Sequence, residues 1–212
     1  MGLGEHHVEQ DPQRVVHVAT SQTQVRRSVV RSLQGALIQR GLWSELRARL
    51  ASTNSALLRE LDRTETQEWW SAESHLALLD GAAELVGLDG MHALGRERIR
   101  GIEAGALFPA IIGSWTRSFP NGADVVQVFP HLWRASSLNG GQLALKELGE
   151  NHAIFHFEGC TRAICTSAPW LATIKGMALG LLDRVGLTGE SRATVTQDGN
   201  SVEFYIAWSK QE

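Results

Sequence analysis

The sequence predicts an α+β fold in which an N-terminal helical layer precedes a four-stranded antiparallel sheet built as hairpin–helix–hairpin. Three observations carry this reading. Residues 142–158 divide into two apolar runs about the turn residues Gly149-Glu150-Asn151. Residues 192–208 do the same about Asp198-Gly199-Asn200, and the last strand sets Val202, Phe204, Ile206 and Trp208 on one face against Glu203 and Tyr205 on the other. Between the hairpins, residues 168–185 repeat apolar side chains at helical spacing. Strands in two hairpins with helices on one face form an α+β layer architecture.

The elements follow in order. Residues 1–13 read as a polar tail, in which His6-His7 is a solvated pair rather than a metal site, because structural zinc needs about four convergent ligands. RVVHVA at 14–19 is a strand or the lead-in to a helix. Residues 22–41 are helical, with Val25, Val29, Val30, Leu33, Ala36 and Leu37 on one stripe, Arg27 and Arg31 opposite, and Gly41 as the stop. Residues 42–50 and 55–61 are two shorter helices, and 62–67 a polar loop. Trp69-Trp70 opens the next segment, in which Ser71 can cap a helix and Ser74 offers an alternative start, with Leu76, Leu79, Ala83, Val86 and Leu88 on its stripe and Gly87 and Gly90 at its end. Residues 91–112 continue as helix; Gly95, Gly101 and Gly105 imply close packing, and Pro109 a kink. After a turn at 118–124, residues 123–136 form one more amphipathic helix.

In the first hairpin Leu148 breaks the alternation, which implies a β-bulge beside the turn. On its return strand Ala153, Phe155 and Phe157 share the face expected to be buried, and His152, Ile154, His156 and Glu158 the other. The following helix starts at Ser167 with Pro169 in its first turn, and Leu171, Ile174, Ala178, Leu181, Leu182 and Val185 make its core stripe. Gly176 and Gly180, four apart, share a face and permit close approach of a neighbour. No repeat, low-complexity run or linker divides the chain, so residues 14–212 read as a single domain, helical over 14–138 and hairpin–helix–hairpin over 139–209.

Composition excludes several classes of function. The 212 residues are 43% hydrophobic and 20% charged with a net charge of −3, so no global basic field argues for nucleic acid. Seven arginines and a single acid lie between Arg14 and Leu50, but Trp43 alone is interleaved with them, too little to stack successive bases. No apolar run reaches the roughly 18 residues of a transmembrane segment, and the first residues lack a secretory pattern. Cytoplasmic residence is the expectation. The motifs of α/β-hydrolases, P-loops, dinucleotide-binding folds and zincins are all missing, so no catalytic residue is assigned and a non-enzymatic role is expected.

The run GGQLALKELGENHAIFHFEG, then GMALGLLDRVGL, then FYIAW resembles an uncharacterised paralogous family of myxobacterial proteins. Upstream, VRRSVVRSLQGAL and HLALLDGAAELVG…ALGRERIRG resemble the helical part of that family, and the likeness spans about residues 25–208. More distantly, helices followed by hairpin–helix–hairpin are similar to the fold shared by haem nitric-oxide-binding, vinyl-reductase and Bet3-like (TRAPP-like) domains. That resemblance implies a ligand site between helices and sheet, although fold alone does not fix function.

Three site hypotheses follow. In the first, Trp115, Trp133, Trp170, Phe155 and Phe157 line a pocket at the helix–sheet junction for a small apolar ligand or a protein partner, a second copy of the chain included. Tryptophan is enriched where one end of a side chain is apolar and the other wet. The second is the haem alternative that the fold resemblance implies. His131 stands near the place of the axial histidine, while the Tyr-x-Ser-x-Arg motif is replaced over Phe157 to Thr161, leaving Arg162 one residue beyond. The third is zinc on Cys160 and Cys165 with His152 and His156, a spacing that matches no common motif, so ordinary thiols are expected instead. No resident cofactor is expected, with haem and zinc as the alternatives.

Overall fold

The computed structural model describes residues 22–63, 68–100 and 121–210. The readings for the tail 1–13, the run 14–19, Gly101, Gly105, Pro109 and Trp115 lie outside them.

A short strand, β1 (Gln24–Arg26), leads into α1 (Arg27–Gln39), which buries Val30, Leu33, Ala36 and Leu37. Gly41 stops the helix as its sequence predicts. Its φ is +72°, its N–H donates to the Ile38 carbonyl, and the Leu42 N–H reaches the Leu37 carbonyl. Two further helices follow, α2 (Trp43–Thr53) and α3 (Ser55–Arg63).

Trp69-Trp70, just ahead of the helix that Ser71 caps, belongs to a strand. β2 (Trp69–Ser71) pairs antiparallel with β1, and β3 (Ser137–Leu138) takes the other edge of β1. This small sheet ties the beginning of α1, the segment before residue 72 and the segment after residue 136 to one place. α4 (Ala72–Arg100) is capped by Ser71, whose Oγ accepts the Ser74 N–H at 3.0 Å, and it breaks at Gly87 with φ +70°. Its buried residues before the break are Ala72, His75, Leu78, Leu79 and Ala82, so the stripe is rotated from the one expected.

The single helix expected over 123–136 is two, α5 (Gly122–Val126) and α6 (Phe129–Ser136). Pro130 supplies the reason, since in a continuous helix its ring would clash with the carbonyl of Val126, where α5 ends.

The C-terminal unit has the predicted order. Strands β4 (Gln142–Leu148), β5 (His152–Glu158), β6 (Leu187–Val195) and β7 (Val202–Lys210) form an antiparallel sheet in the order β4-β5-β7-β6. The register shifts between Leu145 and Glu147, so the bulge lies at Lys146. Ala153, Phe155 and Phe157 are buried on β5, and Val202, Phe204, Ile206 and Trp208 on β7, as the alternation requires. β6 begins five residues earlier than expected, at Leu187.

Between the hairpins lie α7 (Arg162–Thr166) and α8 (Ala168–Asp183). Ser167 caps α8 by accepting the Trp170 N–H at 3.3 Å. Instead of one apolar stripe, α8 is buried on most sides, because α4 packs on it opposite the sheet. Glycine makes that approach possible. A Cβ at Gly176 would lie 1.9 Å from the His92 carbonyl oxygen, and one at Gly95 would lie 2.2 Å from that of Thr173. The Arg96–Asp183 ion pair and an Arg184 donation to the Ile99 carbonyl at 3.2 Å close the seam.

The arginine-rich N-terminal segment is largely neutralised by acids from elsewhere in the chain. Arg26 pairs with Glu68, Arg40 with Glu97, Arg47 with Asp62 and Arg49 with Glu84.

Candidate functional site: a cavity between helices and sheet

The helical layer and the sheet do not close on each other completely. A cavity of about 760 Å³ lies at their junction, bounded by β1, α1, α4, α6, α8 and the inner faces of β4, β5 and β7. That volume falls within the roughly 300–1,000 Å³ usual for small-molecule sites.

Its sheet side is an aromatic cluster. The Trp133 ring meets Phe157 edge-on at 4.8 Å and Trp170 at 5.9 Å, Phe157 stacks on Trp170 at 5.4 Å, and Phe204 meets Trp170 at 6.1 Å. Trp133 also donates its indole N–H to the Gly141 carbonyl at 3.2 Å, which holds the ring in place. Alternation on β5 and β7 puts Phe157 and Phe204 on this face. The cap of α8 sets Trp170 over them.

The helical side is different. Phe129 and Leu132 of α6 and Leu79 of α4 are apolar, but α4 also sends two buried polar side chains to the cavity wall, His75 and Arg98. His75 is 4% exposed and its Nδ1 has no hydrogen-bond partner. Burial, reinforced by the Arg98 cation, pulls its pKa down to about 3, so the imidazole is neutral. Arg98 is 4% exposed; its Nε donates to Ser32 Oγ at 3.0 Å and one terminal nitrogen to the Val29 carbonyl at 2.7 Å. Burial lowers its pKa to about 10, which leaves the guanidinium charged at neutral pH.

The structure distributes the residues singled out in sequence unevenly. Trp133, Trp170 and Phe157 come together on the cavity wall. Phe155 is buried beside Phe129, with ring centres 5.7 Å apart, and lies outside the lining; Trp115 is outside the described residues. His131 is exposed and does not line the cavity, because α6 turns Phe129, Leu132 and Trp133 inward. Arg162, at the start of α7, is exposed as well.

The zinc alternative is corrected. Cys160 and Cys165 are bonded to each other as a disulfide, since the single turn of α7 brings their Cα atoms to 6.7 Å, so neither is a free thiol. His152 lies 2.9 Å from Glu147 and stacks on Tyr205, and His156 lies 3.3 Å from Glu158, both on the face of β5 away from the core. Among the described residues no three His, Cys, Asp or Glu side chains are grouped to hold a metal ion.

Arg98 and His75 escaped the sequence reading. A signal was present: Arg98 follows Leu94 by four and Met91 by seven, and His75 precedes Leu78 by three and Leu79 by four, so both fall on apolar helical stripes.

The architecture is similar to that of solved H-NOX structures. The chain is similar to the Fe(II) unliganded H-NOX protein from K. algicida, with a TM-score of 0.60 and 11% identity over 88% of this chain and 97% of that one. It is similar also to the H-NOX domain from Shewanella oneidensis in the Fe(II)CO ligation state, with a TM-score of 0.57 and 9% identity over 88% and 99%. A third, from a study of haem distortion in the H-NOX family, has a TM-score of 0.55 at 11% identity over 88% and 96%. No protein-family model matches the chain, and no curated protein matches its sequence. Likeness at this identity shows the fold, an α+β arrangement of helices over a four-stranded antiparallel sheet. Among the described residues no helix is long and apolar enough to cross a membrane.

Proposed function

We propose that this chain is a sensory or regulatory domain that takes a small, largely apolar ligand into the junction cavity. The observation that carries the reading is the cavity itself, with the Trp133, Phe157, Trp170 and Phe204 cluster as its floor. No catalytic residue is proposed. Protein partners would read the change that the ligand makes in the helical layer.

The fold likeness makes haem the first ligand to test, ahead of its rank in the sequence reading. The neighbours are described in Fe(II) and Fe(II)CO states. The haem arrangement read from the sequence does not fit this chain, because His131 and Arg162 are exposed and the positions of the Tyr-x-Ser-x-Arg motif hold Phe157, Gly159 and Thr161. A different residue fits better. His75 lines the cavity as a neutral imidazole, and a neutral imidazole is the form that ligates iron. A haem held there would supply an iron centre for a diatomic gas.

Reconstitution of the purified protein with haemin tests both levels. We expect a Soret band that is lost in His75→Ala and kept in His131→Ala. A band lost with His131 instead would overturn the assignment to His75. No band, together with saturable tryptophan quenching by an apolar probe, would leave the cavity as the site of a ligand other than haem. No saturable change with either would refute the ligand-binding reading.

A further inference from the structure

We infer that the ligand of this cavity carries a carboxylate, and that Arg98 is the residue that receives it. The inference rests on the reading of the cavity as a ligand site and deepens it by naming the ligand's chemistry: an acidic head on an apolar body.

A guanidinium taken out of water is costly unless a counter-ion or a full set of acceptors meets it. Arg98 is buried to 4% exposure at the wall of a largely apolar cavity, and among the described residues no carboxylate pairs with it. The nearest acid in sequence, Glu97, also borders the cavity but is held by Arg40 through two hydrogen bonds of 2.8 and 2.6 Å. The contacts that Arg98 does make are to neutral acceptors, Ser32 Oγ and the Val29 carbonyl, while Ser32 itself donates to that carbonyl at 2.9 Å. These contacts orient the side chain without neutralising it. A charged fork held in position and short of a counter-ion is suited to a planar anion, which it binds through paired N–H···O contacts. The aromatic floor then takes the apolar body.

Two sources supply this chemistry, a fatty acid and the propionates of a haem, and paired probes separate them. Dodecanoate and dodecanol differ only in the head group, and haemin and its dimethyl ester only in free carboxylates. Binding to the full chain is followed by tryptophan quenching. Dodecanoate is expected to bind at least tenfold more tightly than dodecanol, or haemin than its ester, with Arg98→Met collapsing the ratio towards one. The pair that shows the ratio identifies the source. Equal affinities within both pairs would overturn the role of Arg98 and leave the cavity reading standing. A ratio that survives Arg98→Met would overturn it too, since the preference would then come from another cation. No saturable binding by any probe would remove the cavity reading and this inference together. Should Arg98→Met not fold, Ser32→Ala, which removes the acceptor orienting the guanidinium, is expected to narrow the ratio severalfold; an unchanged ratio there would count against the proposal.

Discussion

The two walls of the cavity are built on different physics. The sheet wall is apolar packing brought to completion: Phe157 and Phe204 project from the neighbouring strands β5 and β7, Trp170 lies over them, and Trp133 closes the group with its one polar atom satisfied. The helical wall is apolar packing interrupted, with a charged guanidinium and an imidazole standing where leucines would close the core. A wall of the first kind stabilises the fold whatever the ligand. One of the second kind is a cost to the fold that a suitable ligand offsets. Measurements on the two walls should therefore move different observables.

The largest effect belongs to the sheet wall. Phe204→Ala is expected to cost about 3–5 kcal/mol in urea unfolding, as large-to-small changes in a core do, while Glu203→Ala on the opposite face changes stability little. A costly Glu203→Ala with a silent Phe204→Ala would put β7 one residue out of register.

Next comes the seam that joins the walls. Gly176→Ala places a Cβ against the His92 backbone, which cannot swing aside as a side chain would, so a loss of about 3 kcal/mol is expected. Near-neutral behaviour would mean that α4 and α8 stand further apart than described.

The third prediction concerns the helical wall and acid. The folded-state pKa of His75 is depressed to about 3 while its ordinary value is 6.5, so between these pH values the unfolded chain binds a proton that the folded one does not. Stability attributable to His75 is present above pH 6.5 and falls as pH drops towards 3, with a slope of at most about 1.4 kcal/mol per pH unit. Comparing the urea midpoints of wild type and His75→Leu between pH 7 and pH 5 checks this. The variant should show the shallower decline, and equal slopes would place the imidazole in water.

The smallest effect is a gain. Gly35 lies within α1 on the helical wall and a Cβ there meets nothing within 4 Å, so Gly35→Ala should stabilise the fold by about 0.5–1 kcal/mol in the same unfolding assay. A loss instead would show that the chain packs more closely at that point.

Legibility in the sequence followed the length of the pattern. β7 alternates without a break from Val202 to Trp208, and its buried face is evident from residue types alone. β1, β2 and β3 have two or three residues each, too few for a period to show, and residues 24–26 therefore read as the first turn of a helix. At residues 123–136 the apolar spacing continued smoothly through Pro130, and the periodicity outweighed a steric rule that in fact divides the segment. The buried polar pair was missed for a related reason. A hydrophobic stripe is read by its apolar members, so a histidine or an arginine on the stripe passes for surface.

What the sequence determined by itself was the set of local decisions: two hairpins, a capped helix between them, the stop at Gly41 and the break at Gly87. Each follows from alternation, a capping hydroxyl or a glycine able to adopt positive φ, and these act within a few residues of chain. Only the tertiary structure decided that α8 is enclosed on most sides, that Glu97 is taken by Arg40 and not by Arg98, that Cys160 and Cys165 meet, and that His75 rather than His131 borders the cavity. Those outcomes depend on which distant surfaces come into contact. The free energy of a buried charge is set by every group around it, most of which lie far away in the chain.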